Sequence, residues 1–346
     1  MGILRLPGQL RDVQTVLRSL DWHVLEQEVA QEAASRLVIV GPVNSGKSTL
    51  FNRLHGQRLS AMSAVPGTTT GIVEHPLGPF FLVDTPGFGE VWGVDRAAIA
   101  REAASGADLI LLLLDAVAGF RQSDRDLYDI LRSLDVPVIV ALNKTDLIRK
   151  ELPHVLENME ALLGERPTPI SAQTGDGIVD RLLPEILAAQ PGVAVAMAKA
   201  LPDVRRHIIN RMVRRTAGVS ALISFEPIPG LDIPLLLAAQ TRLVLRIAAV
   251  YGQSMMVSHA RELLTTMAGS LLSRYLGMQL AKLVPGLGWL ISAALSATTT
   301  WAMGQAALHY FEAGGHIATP KFRDLYRQMR RAAHRRLLGH KGDASS

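Results

Sequence analysis

The stretch Gly41-Pro42-Val43-Asn44-Ser45-Gly46-Lys47-Ser48 constrains the fold of this 346-residue chain more than any other. It follows Leu37-Val38-Ile39-Val40, an apolar run suited to a buried strand, and leads into Thr49-Leu50-Phe51-Asn52-Arg53-Leu54, which opens a helix. Strand, glycine loop and helix in that order are the setting of a phosphate-binding loop. Gly41 and Gly46 let the backbone curl so that successive N–H groups face an anion, and the helix behind adds the positive end of its dipole. Lys47 reaches the terminal phosphates as a point charge, and the Ser48 hydroxyl is placed to ligate the Mg2+ that bridges them. Asn44, Ser45, Gly46, Lys47, Ser48 and Thr49 are the candidate phosphate contacts.

Four downstream stations extend this site. Phe80-Phe81-Leu82-Val83 is a second buried-strand run that ends in Asp84-Thr85-Pro86-Gly87, where a carboxylate can hold Mg2+ through water and the Gly87 N–H can sense a terminal phosphate. A third run over residues 136–142 ends in Asn143-Lys144-Thr145-Asp146. The Asp146 carboxylate can accept two parallel hydrogen bonds from the N1–H and exocyclic amine of guanine, a donor pair that adenine lacks. The nucleotide is therefore expected to be GTP or GDP. Pro66-Gly67-Thr68-Thr69-Thr70 supplies hydroxyls, with Thr69 the second candidate Mg2+ ligand, and Ser171-Ala172-Gln173 would close the base pocket. Most of these stations stand at strand ends, where open α/β sheets bind ligands.

This order of motifs resembles the Era-like branch of the translation-factor-type GTPases over roughly residues 36–190. The resemblance assigns residues 41–48 to phosphate, Ser48, Thr69 and Asp84 to Mg2+, and Asn143, Lys144 and Asp146 to guanine, with Ser171 and Ala172 beside the base. It makes Lys47, Thr69 and Gly87 the catalytic candidates and allows a G-domain dimer. Asn44 matches an asparagine that coordinates K+ in some Era-like relatives, so K+ is a candidate second cation. Two positions depart from the pattern. Thr70-Gly71 stand where many relatives carry Arg-Asp, and Phe88 stands where Ras-like proteins carry the glutamine that orients the attacking water.

Length allows two domains, and the absence of cysteine excludes disulfides and thiolate metal sites. The ten histidines show no His-Glu-x-x-His spacing, which argues against zinc. Residues 1–10 include Arg5, Pro7 and Gly8 and do not read as a signal peptide, so the G domain is expected in the cytoplasm. Charge is uneven: residues 1–190 hold 17 Lys+Arg and 24 Asp+Glu (−7), and residues 191–346 hold 19 and 7 (+12), which together give +5. The second part therefore favours an anionic partner.

The expected architecture is an N-terminal helix (1–35), an α/β P-loop domain with a mostly parallel sheet and helices on both faces (36–190), and a basic, apolar, all-α domain (191–346). Val13, Val16, Leu17, Leu20 and Val24 recur at helical spacing, which suits packing on a neighbouring domain. Residues 109–114 read as a strand and 124–134 as a helix, and Pro191-Gly192 marks the domain boundary. Beyond it, Val204, Ile208, Met212 and Val213 form an apolar stripe among Arg205, Arg206, Arg211, Arg214 and Arg215, either a solvated helix or a surface for anionic headgroups. Residues 217–240 are apolar but broken by Glu226, Pro227, Pro229, Asp232 and Pro234, which suits a helix-turn-helix better than a straight span. Residues 283–311 lack Asp, Glu, Lys and Arg and read either as a membrane segment or as a buried core helix. Ser292, Ser296, Thr300 and Gly304 put small residues on one face of it, which another helix can approach closely. A basic helix is expected over 321–338.

This second part resembles the helical domain of unknown function of YcjF-type membrane proteins. The match rests on Pro229-Gly230-Leu231-Asp232-Ile233-Pro234, Gln240, Tyr251-Gly252 and Pro285-Gly286-Leu287-Gly288. It implies membrane association without naming a reaction, and with the +12 balance the expected place of action is an anionic surface, that of the inner membrane. Two other readings compete, an RNA- or ribosome-binding assembly GTPase and a membrane scaffold that binds nucleotide without useful turnover. Gly339-His340-Lys341-Gly342 fits the loop of a KH domain, but four residues follow it, too few for the next helix. Nucleic acid is the less favoured partner.

Overall fold

The structure is a computed structural model and describes residues 21–55, 73–77, 80–84, 106–225, 232–252, 288–314 and 328–329. The chain forms two compact units, one of residues 32–206 and one that combines residues 1–31 with 207–346.

The first unit is built on a six-stranded sheet. Its strands are β1 (Leu37–Gly41), β2 (Val73–Leu77), β3 (Phe80–Asp84), β4 (Leu109–Asp115), β5 (Val138–Asn143) and β6 (Thr168–Pro169), in the order β2-β3-β1-β4-β5-β6. β2 runs antiparallel to β3 at one edge, and every other pairing is parallel. Parallel strands are covered on both faces and so read as continuous apolar runs. On one face Val38, Val40, Ile110, Leu112 and Leu114 pack with Leu127, Tyr128 and Leu131 and with Leu156, Met159 and Leu163. Residues of the other parity, Leu37, Ile39, Leu109, Leu111 and Leu113, are buried just as fully, so the second face is covered too.

Among the described residues, α1 (Trp22–Ala33) belongs mostly to the other unit, and the helices of this one are α2 (Lys47–His55), α3 (Gln122–Arg132), α4 (Leu152–Leu163), α5 (Leu183–Ala189) and α6 (Val193–Ala200). Helix α3 begins and ends two residues before the stretch expected from sequence. The Asp124 side chain accepts from the Arg121 N–H and so fixes the start at Gln122. Tyr128 on α3 donates to the Leu163 carbonyl (3.2 Å) and to Glu165 Oε1 (2.8 Å), which ties α3 to the end of α4. Burial and the neighbouring Glu165 carboxylate push its phenol up to about 12, so it stays a neutral donor.

The second unit holds most of α7 (Pro202–Ser224), with α8 (Asp232–Val250) and α9 (Gly288–Glu312). The contact boundary falls inside α7, between Arg206 and His207. Within this unit Glu28 of α1 pairs with Arg242 of α8 at 3.2 Å, so the N-terminal helix is tied to the helical domain. The expected stripe of small residues on α9 does lie against a helix. Ser296 Oγ donates to the Ser220 carbonyl (3.0 Å), and Thr300 Oγ1 lies 3.0 Å from Ser220 Oγ. A Cβ at Gly304 would come within 2.6 Å of Val213 on α7. Replacing Gly304 with valine should therefore overpack this seam and cost about 1–3 kcal/mol, to be read as a lower thermal midpoint of the full chain. No helix among the described residues is long and apolar enough to cross a membrane. Nearly all of the basic segment expected over 321–338 lies outside the described residues.

Candidate guanine-nucleotide site

Ser45 is fully buried at the heart of the loop that joins β1 to α2, and Lys47 nearly so, while Ser48 and Thr49 are exposed. The loop lies so close to β4 that a Cβ on Gly41 would stand 2.3 Å from the Leu113 carbonyl oxygen. Gly46 has φ +95°, and a Cβ there would meet Asn143 Nδ2 at 2.3 Å. Asn44 also takes a left-handed conformation (φ 65°), uncommon for a residue with a side chain, which marks the curl of the loop. The Lys47 ammonium donates to the carbonyls of Gly41 (2.7 Å) and Pro42 (2.8 Å), so its charge is held over the concave side of the loop.

Asn143, at the end of β5, links two loops. Its Nδ2 donates to the Ser45 carbonyl (2.8 Å), and its Oδ1 accepts from the Ala172 N–H (2.8 Å). One buried amide thus fixes the phosphate loop and the Ser171-Ala172-Gln173 loop in register. Alanine at 143 would leave both backbone partners unsatisfied. We expect about 2 kcal/mol of lost nucleotide binding, read as a ten- to hundredfold weaker affinity for GDP.

After Asn143 the chain turns through Lys144 in a left-handed conformation (φ 66°) into a short 3-10 turn at Thr145–Leu147. The Thr145 side chain and backbone both donate to the Ile170 carbonyl, at 2.9 and 3.2 Å. Lys144 Nζ donates to Asp115 Oδ2 at 2.6 Å, which fixes the lysine side chain. Asp146 carries the decisive feature: its Oδ1 is buried and has no hydrogen-bond partner. A buried carboxylate oxygen without a donor is costly, so this oxygen is placed to accept from an N–H donor of a bound molecule.

Residues 36–144 match the 50S ribosome-binding GTPase family. The α/β unit that contains them is a P-loop GTPase domain. Residues 193–335 match a domain of unknown function, DUF697. The chain is 34% identical over 223 residues to GTPase Der of Leifsonia xyli, an alignment that covers 62% of this chain and 45% of that protein. It is 37% identical over 163 residues to GTPase Era of Halothermothrix orenii, covering 44% and 54%. The chain thus spans about half the length of these curated relatives. The solved structure of Aquifex aeolicus Era bound to GDP and an aluminium fluoride is 28% identical, with a TM-score of 0.35, covering 53% of this chain and 66% of that one.

The GTPase domain also uses residues that sequence motifs do not mark. Arg53 on α2 donates to the Ala172 carbonyl (3.3 Å) and to that of Gln173, so the helix behind the phosphate loop also holds the base loop. Asp115 is another, as the partner of Lys144. Ser171 is buried, and its Oγ accepts from the Thr174 N–H (3.1 Å), which closes the base loop on itself. Strand register places the Asp84 backbone directly beside Gly41, at the mouth of the phosphate loop. Thr69, Gly87 and Phe88 lie outside the described residues. The Ser48 hydroxyl and Asp84 carboxylate are hard oxygen donors of the kind Mg2+ takes.

Proposed function

We propose that the chain is a GTP-hydrolysing switch whose helical unit acts at an anionic membrane surface. The nucleotide half rests above all on the buried, unpartnered Asp146 Oδ1 beside a base loop locked by Asn143. The loop N–H groups, the start of α2 at Lys47 and the lysine ammonium supply positive potential where the phosphates would lie. Ser48, Thr69 and Asp84 would hold Mg2+, which when bound neutralises charge developing on the transferring phosphoryl group. Ala172 and Ser171 hold the base edge, and Gly87 offers a backbone donor to the terminal phosphate.

Phe88 has no hydrogen-bonding group to orient a water, so turnover of the chain alone should be slow. Asn44, held in the curl of the loop, is the proposed K+ ligand, and K+ there would offset transition-state charge. Phosphate release from GTP should therefore be about tenfold or more faster in K+ than in Na+ buffer. Equal rates would remove K+ from the site.

The membrane half draws on the +12 balance of residues 191–346 and on α9, which carries no Asp, Glu, Lys or Arg before its last residue, Glu312. A second reading, action on the ribosome, draws on the family matched by residues 36–144, described as ribosome-binding GTPases. Flotation of the full chain with anionic vesicles, run beside co-sedimentation with ribosomes, separates the two. Flotation without co-sedimentation supports the membrane reading, and the converse overturns it.

A further inference from the structure

We propose that one end of the helical unit, formed by the last turns of α7 and the first turns of α8 and α9, inserts end-on into one leaflet of an anionic bilayer. This rests on the membrane reading and adds its surface, its depth and its lipid class. The three ends lie together. Ser296 and Thr300 of α9 meet Ser220 of α7, Gln240 of α8 donates to Thr300 (2.9 Å), and the rings of Phe225 and Trp289 are 6.2 Å apart.

At this end, beside the buried Leu236 and Leu237 of α8, much of the usual distribution of polarity is inverted. Ser220, Ser224, Gln240, Thr241, Ser292 and Ser296 are at most 1% exposed, whereas Leu222 is 76%, Leu290 61%, Leu235 60% and Phe225 52% exposed. The Ser224 and Thr241 hydroxyls are buried without a hydrogen-bond partner. In water this arrangement loses twice, by burying hydroxyls and by exposing apolar side chains. In hydrocarbon the outward leucines are at home, and small residues with interhelical hydrogen bonds are what holds helices together. The exposed side chains come from all three helices, so a surrounding medium fits them better than a partner seated on one face.

Charge fits this placement at one cost. No Asp, Glu, Lys or Arg occurs over residues 216–225, but Glu226 follows in sequence and Asp232 begins α8, so insertion requires both acids to be neutralised. Arg211 and Arg214 are exposed on α7, and Arg214 stands roughly 15 Å behind Ser224 along the helix axis. That distance is about half the hydrocarbon thickness of a bilayer. The arginines then meet lipid phosphates while Leu222, Leu290 and Phe225 sit among acyl chains. Insertion of this depth does not require a helix able to cross the membrane.

The chain lacks cysteine, so Leu222→Cys, Leu290→Cys and Arg214→Cys each accept one environment-sensitive fluorophore. The probe membranes are vesicles of phosphatidylcholine with phosphatidylglycerol, with or without acyl-chain nitroxide quenchers. Labels at 222 and 290 should shift to the blue and be quenched from the acyl chains, and the label at 214 should not. Leu222→Glu combined with Leu290→Glu should weaken vesicle binding roughly a hundredfold while GDP binding is kept. Arg211→Gln with Arg214→Gln should remove the preference for anionic vesicles. Flotation with labels 222 and 290 still in water would overturn end-on insertion and leave the membrane reading standing. Absence of flotation in the unaltered chain would overturn both. Loss of self-association instead of lipid binding in the glutamate variant would assign this end to a second copy of the chain and overturn the proposal.

Discussion

Replacing Asp146 with asparagine is expected to weaken GDP and GTP binding about a thousandfold and to turn the site toward xanthine nucleotides. Two hydrogen bonds to an ionised carboxylate contribute about 1.5–3 kcal/mol each, and about 4 kcal/mol corresponds to that factor. The buried, unpartnered Oδ1 is the acceptor at stake. An asparagine amide there presents a donor where guanine also presents one, so the pair repels. Xanthine carries a carbonyl at that position and accepts from the amide. Competition of GDP, XDP and ADP against a fluorescent guanine nucleotide measures the exchange. Unchanged GDP affinity in the variant would take the base pocket away from Asp146.

The second large effect is expected at Gly41. Alanine there needs no unusual φ, but its Cβ would lie 2.3 Å from the Leu113 carbonyl and 3.0 Å from Ser45 Oγ. The obstacle on one side is strand backbone that pairs β4 to β5, so it cannot move aside as a flexible side chain would. Relief requires β1 and β4 to part at the phosphate loop. We expect Gly41→Ala to destabilise the domain by about 3 kcal/mol, a fall of roughly 6–12 °C in its thermal midpoint. Nucleotide binding should fall with it, because the Lys47 ammonium is anchored on the Gly41 carbonyl. A variant that keeps both midpoint and affinity would show that the loop tolerates the methyl group.

The parallel sheet was legible in the sequence because buried strands such as 37–41 and 138–143 are continuous apolar runs up to their last residue. The stripe of Ser296, Thr300 and Gly304 was legible too, since spacing by four marks one helix face. Other features depend on contacts that local pattern does not encode. Asn143 stands in a recognisable motif, yet its bonds to Ser45 and Ala172 join residues 98 and 29 positions away. Arg53 reaches a loop 119 residues on and sits in no phosphate motif. Pro191-Gly192 marks a turn between α5 and α6, whereas the contact boundary falls inside the continuous helix α7, which no punctuation announces. The inverted end of the helical unit was hidden for a similar reason. Hydropathy registers that Leu290, Ile291 and Ser292 are neighbours, not that the leucine and isoleucine face out while the serine faces in.

The central claim, a nucleotide switch specific for GTP, is tested most directly by phosphate release from the full chain in Mg2+ and K+, with GTP or ATP as substrate. Slow release from GTP that excess ATP does not inhibit is the expected result. Equal release from ATP, or none from GTP at any vesicle or cation condition, would contradict it.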